Sequence, residues 1–133
     1  MKHPAGLMAL LLASSAHAYS GKELREDCQA AEAFFAQKKH TDPYDSVKSA
    51  RCISYIAGFA DGYAVGDYLS DKVGVKLNAF CLPAEGDMSF RLVRAVQAQL
   101  DRQPPNSSAN TAATVAAALS NAFPCTETLE RKK

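Results

Sequence analysis

Apolar residues recur along most of this chain at helical rather than alternating intervals. Leu24, Cys28, Ala31 and Phe35 step by four, three and four, the repeat of one helix face. Cys52, Ile56, Phe59 and Tyr63 step by four, three and four as well. Met88, Leu92, Val96 and Leu100 form a third stripe, and Ala112, Val115, Leu119 and Ala122 a fourth, each expected to face inward.

Polar residues and prolines punctuate the stripes. The first helix is predicted from Gly21 to Lys38, opened by a Ser20/Glu23 capping box. Lys38, Lys39 and His40 suit its negative end, as a solvated helix terminus. The second is predicted from Pro43 to Asp67, with Asp42 as cap, Pro43 at the first helical position and Asp45 near the positive end of the dipole. The stretch from Leu69 to Asp87 holds Gly74, Pro83 and Gly86 and keeps no period. It is expected to be an ordered loop with a short extended piece at Val73–Leu77. Asp87 caps a third helix reaching Asp101, which Pro104 and Pro105 stop. A fourth is predicted from Ser108 to Ala122, ended by Pro124. No sheet pattern and no internal repeat appears. The expected fold is all-α, a small bundle of four helices arranged as two hairpins.

One stretch of the second helix runs against its own propensity. In "SYIAGFADGYAVGDY", Gly58, Gly62 and Gly66 stand four apart, on a row begun by Ala50 and Ser54. Each interior glycine costs a helix about 1 kcal/mol relative to alanine. A ridge of small residues offsets that cost where another backbone comes close. Two readings follow: a tight crossing inside the domain, or contact with a second copy or a partner.

The N-terminus changes the setting. "MKHPAGLMALLLASSAHAYS" joins one lysine, a short apolar run from Gly6 to Ala13, and Ala16-His17-Ala18. This is the build of a secretory signal peptide cleaved after Ala18. The apolar run falls short of the ~20 residues of a membrane span, and no cysteine at the site invites a lipid anchor. The expected organisation is a leader over 1–18 and one domain over 19–133, exported to the periplasm and free of the membrane. Without Lys2, 14 Lys and Arg face 14 Asp and Glu. Neutrality gives no electrostatic case for nucleic acid.

All four cysteines, Cys28, Cys52, Cys81 and Cys125, lie in the exported part, so two disulfides are expected. On antiparallel hairpins Cys28 and Cys52 fall at similar heights, and Cys81 and Cys125 at adjoining ends. Those are the expected pairs, with Cys52–Cys81 as the rival if the loop after the second helix folds back. No CxxC or haem-attachment spacing occurs, and no metal or cofactor is expected. No GxSxG, HExxH or phosphate-binding loop is present. Asp61, Asp67 and Asp71 do not share one face, and His40 has no evident partner. A binding protein is expected rather than an enzyme.

Particular motifs then narrow the class. Cys52, Tyr55 and Gly58 form C-x-x-Y-x-x-G, "FCLP" occupies Phe80–Pro83, and "AAALSNAFPC" ends at Cys125. From Cys28 to Cys125 the chain resembles the Rap/Tai-type immunity proteins, periplasmic antidotes to type VI secretion amidase effectors. The resemblance implies a small disulfide-bonded helical protein, often dimeric. It implies that the protein binds a peptidoglycan amidase and blocks its active-site groove with a protruding loop. Two segments are candidates for that loop: Asp71, Lys72, Val73 and Lys76 in one, and Gln103, Pro104, Pro105 and Asn106 in the other. The alternative function is an acid-stress, chaperone-like binding protein of the same build, with Asp61 or Asp67 as its titrating group.

Overall fold

The computed structural model describes residues 18–39, 42–104, 107 and 109–126. Four helices account for the regular structure of these residues: α1 Gly21–Phe35, α2 Asp45–Asp71, α3 Met88–Arg102 and α4 Thr111–Ala122. The chain is all-α, as the periodicity predicts. Residues 1–17, to which most of the expected leader belongs, His40, Thr41, Pro105, Asn106, Ser108 and residues 127–133 lie outside the described residues.

Helix ends obey local chemistry, in several places differently from the sequence expectation. Ser20 and Glu23 do form the capping box that opens α1. The helix stops at Phe35 rather than Lys38, because Gln37 turns left-handed with φ 53°. The Lys38 amide then donates to the Ala33 carbonyl and the Gln37 amide to that of Phe34, the paired closure usually built on glycine. Asp42 does not cap α2. It accepts the Tyr44 amide at 2.8 Å and the Lys48 ammonium at 2.9 Å, so it shapes a turn before the helix begins at Asp45. Helix α4 starts at Thr111, where the Asn110 side chain accepts the amides of Ala112 and Ala113.

The core is small and mostly aliphatic. Leu24, Ile56, Val93, Val96, Val115 and Leu119 are fully buried around the Cys28–Cys52 bond. Along α4, Thr111, Thr114, Val115, Ala118 and Leu119 face inward. Ala112 is half-buried and Ala122 exposed, so the inward face is rotated from the predicted stripe. The expected disulfides are present, Cys28–Cys52 with Cα atoms 5.1 Å apart and Cys81–Cys125 at 4.9 Å. Closing chain separations of 24 and 44 residues removes roughly 3–4 kcal/mol of unfolded-state entropy for each bond.

Helix α2 outruns its neighbours. Its 27 residues extend about 40 Å, against about 22 Å for the 15 of α1. Its buried residues are Ser49, Cys52, Ile56 and Ala60, and nothing beyond Ala60 is buried.

Candidate docking surface

The far end of α2 is built as an arm. No breaker interrupts Leu69-Ser70-Asp71, so the helix runs four residues past its expected end at Asp67. Gly74, at φ +79°, supplies the left-handed stop. Its amide donates to the Asp71 carbonyl, and the Val75 amide to that of Ser70. Val73 and Gly74 are therefore turn residues, not the start of an extended piece, and Val75–Asn78 forms no strand.

The chain then returns alongside α2. The Asp67 carboxylate accepts the Leu77 amide at 3.2 Å, and the Tyr63 hydroxyl accepts the Ala79 amide at 2.8 Å. Phe80 stacks on Tyr63 with ring centroids 4.0 Å apart and lies 6.5 Å from Phe59. Only Phe80 in this return is buried. The periodicity of Phe59 and Tyr63 thus serves the arm's base as much as the bundle's core.

What the arm leaves outside is apolar. Val73 is 78% exposed, and Val65, Tyr68, Leu69, Val75 and Leu77 are exposed around it. The Lys72 ammonium sits 4.7 Å above the Tyr68 ring. Lys76 borders a shallow groove with Ala64, Asp67, Tyr68, Asp71 and Asn78. A cluster of large apolar groups with a polar border is the build of a protein interface. Of the two candidate segments, this one carries the exposed apolar surface. Gln103 in the other is tied to Thr114, its Nε2 donating at 3.3 Å, and Pro105 and Asn106 lie outside the described residues.

The glycine ridge faces away from the core. No described atom lies within 4 Å of a Cβ placed on Gly58 or Gly62, and Gly66 meets only Leu77 Cδ1 at 4.0 Å. Of the two readings of the ridge, the crossing inside the domain does not occur among the described residues, since α1 packs on the opposite face through Cys52 and Ile56. Val47, Gly58, Gly62, Val65 and Leu69, interrupted by Ser54, instead make a low and mostly apolar stripe along the exposed outside of α2. Such a face is open to a second chain.

A polar cluster that periodicity does not reveal fixes the start of α1. Asp27 is 3% exposed. It accepts the Tyr19 hydroxyl at 2.5 Å and faces Arg51 Nε at 3.3 Å. Arg51 also reaches Glu23 at 3.5 Å and lies 5.1 Å over the Tyr19 ring, and the Tyr19 and Tyr55 rings meet edge to face with centroids 4.8 Å apart. Thr111 donates to the Tyr19 carbonyl at 2.5 Å. Burial, and then the bond to Asp27, push the Tyr19 hydroxyl above its ordinary value. Tyr55 is thus seated by packing on this cluster. The only hint in the sequence is an aspartate one position from Cys28, on the inward side of an amphipathic helix.

The carboxylates considered for chemistry do not converge. Asp61 is exposed and Asp67 holds backbone. Among the described residues, no three of His, Cys, Asp and Glu gather as a metal site. The four cysteines are all bonded to one another.

A family model described as Rap1a immunity proteins matches residues 20–125. No curated protein and no solved structure matches the chain.

Proposed function

The chain belongs to the Rap1a immunity protein family, and from that premise we propose that it neutralises a type VI secretion peptidoglycan amidase by docking the α2 arm into the enzyme's active-site groove. Immunity proteins of this kind act by binding a cognate effector rather than by catalysis. The observation that carries the arm reading is the exposed apolar end around Val73, held on a return segment that Asp67, Tyr63 and Phe80 fix in place. A pre-formed element loses little conformational entropy on docking, so more of its contact energy appears as affinity.

Residues 1–18 are read as a leader removed on export to the periplasm, where the effector would arrive. Two buried or surface disulfides are the chemistry of an oxidising compartment. The outer stripe of α2 would pair with a second copy, giving a dimer with an arm on each protomer. The acid-stress alternative gains no support from its candidate groups, because Asp61 is exposed and Asp67 already serves the backbone.

The test uses residues 19–133 and the cognate amidase, with titration calorimetry and a peptidoglycan-cleavage assay. The wild-type protein is expected to bind and to abolish cleavage. Val73→Asp, at an exposed position, should leave the melting temperature unchanged. It should weaken binding at least about tenfold, as burying an unpaired charge at an interface does. A wild-type protein that neither binds nor inhibits ends the immunity reading. Wild-type binding that Val73→Asp leaves intact moves the contact away from the arm.

A further inference from the structure

The two disulfides have different surroundings. Cys28 and Cys52 have no exposed surface and join α1 to α2 inside the core. Cys81 is exposed and Cys125 half-buried, and both lie in coil. We infer that Cys81–Cys125 is a thiol–disulfide exchange site, open to a dithiol while the chain stays folded, and that exchange there releases the base of the docking arm. The second half of this inference rests on the arm reading above.

The chemistry balances without a cofactor. A thiolate of the dithiol attacks one sulfur of the pair. The S–S bond breaks, and the other cysteine leaves as a thiolate. The second thiolate of the dithiol resolves the mixed disulfide and frees the first cysteine. The cystine gains two electrons and takes two protons from solvent, while the dithiol becomes a disulfide. Access to sulfur governs this reaction, and exposed disulfides are the labile ones. The folded chain carries Cys81–Cys125 at its surface, with Cys81 exposed and Cys125 half-buried. The buried pair is reached only when the packing of α1 on α2 opens.

Position gives the exchange its consequence. Phe80, stacked on Tyr63, directly precedes Cys81, and the Cys81 amide donates to the Phe123 carbonyl at 2.8 Å. The disulfide therefore clamps the end of the return segment against the last residues of the bundle. With it open, the base of the arm keeps the stacking of Phe80 on Tyr63 and Phe59 and three backbone-donated hydrogen bonds, from Leu77, Ala79 and Cys81. The helices remain joined by the core and by Cys28–Cys52.

Oxidised protein, residues 19–133, would be treated with dithiothreitol without denaturant, alkylated with iodoacetamide at intervals and mapped by mass spectrometry. Cys81 and Cys125 should be labelled at least about a hundredfold faster than Cys28 and Cys52, because the buried pair waits on opening of the fold. Helical circular dichroism should persist through the fast phase. Amide hydrogen exchange at Leu77 and Ala79 should rise in the species labelled at the surface pair. Equal labelling rates, or loss of helical signal in step with Cys81 labelling, would overturn the exchange site. Unchanged protection of Ala79 after labelling would overturn the release of the arm. The double variant Cys81→Ser/Cys125→Ser should show the same loss of protection without reductant, and retained protection there counts against the release equally. No readout involves an effector, so failure here is distinct from failure of the immunity reading.

Discussion

Gly62→Ala tests the reading of the outer face of α2 most directly. Gly62 is interior to the helix and exposed, and an added Cβ meets no described atom within 4 Å. With no clash to absorb, the substitution acts mainly on backbone freedom, and alanine should favour the helix by about 1 kcal/mol. For a domain of this size that is a rise in melting temperature of roughly 3–5 °C. Gly58 has the same open surroundings, so Gly58→Ala/Gly62→Ala should gain about 2 kcal/mol if the two positions act independently. The assay is thermal unfolding by far-UV circular dichroism, on oxidised residues 19–133, at a concentration shown by sedimentation to be monomeric. It is then repeated at a concentration where the protein associates. In the dilute sample both variants should melt higher than wild type. In the concentrated sample the wild-type protein gains stability by mass action. The alanine variants should lose part of that gain, because their methyl groups hold the two helices apart. A lower melting temperature in the dilute sample would refute the argument, since it would mean that the monomer already packs something against the ridge. Higher melting at both concentrations with unchanged association would remove the ridge from any contact between copies.

Further expectations concern the arm's base and the ends of the helices. Phe80→Ala removes a buried ring stacked on Tyr63 and should cost about 3 kcal/mol in chemical denaturation; a loss under about 1 kcal/mol would mean that the stack contributes little. Gln37→Gly relieves a left-handed residue at the end of α1 and should stabilise by about 0.5–1 kcal/mol, with a lower denaturation midpoint counting against that closure. The folded chain keeps the Tyr19 proton, chiefly through burial, above the pH at which the unfolded chain releases it. That contribution is present below the ordinary value of 10.0 and lost as pH rises above it, so Tyr19→Phe should flatten the alkaline fall in stability; an unchanged slope would clear Tyr19 of any part in it. Glu23 is lowered by the Ser20 amide and hydroxyl and by Arg51, and Asp42 by the Tyr44 amide and Lys48. Their contributions are present above the ordinary values of 4.5 and 3.8 and are lost as pH falls, so Glu23→Gln/Asp42→Asn should shrink the acid dependence of the melting temperature.

Local chemistry made much of this protein legible from its sequence. Four apolar stripes of helical period specify four helices, because only one face of each must leave water. Ser20 with Glu23 and Asp87 before Phe90 name two helix starts, because the donors they satisfy lie within three residues. Antiparallel hairpins favour Cys28 with Cys52 and Cys81 with Cys125, and the folded chain decides for those pairs over the rival Cys52–Cys81. The C-x-x-Y-x-x-G, "FCLP" and "AFPC" motifs point to the family. Other features depend on contacts between distant segments. Gln37 carries no glycine to announce the end of α1, and Gly74 stops α2 only because nothing before it does. The glycine spacing announces close approach without saying which chain approaches, and only the placement of α1 on the opposite face turned the ridge outward. Asp27, Tyr19, Arg51 and Thr111 become one cluster when α1, α2 and α4 meet, a convergence that no local period encodes. The arm is the same kind of outcome. Its residues read locally as an irregular loop, and it became a fixed projection because Asp67, Tyr63 and Phe80 hold the returning chain against a helix longer than the core beneath it.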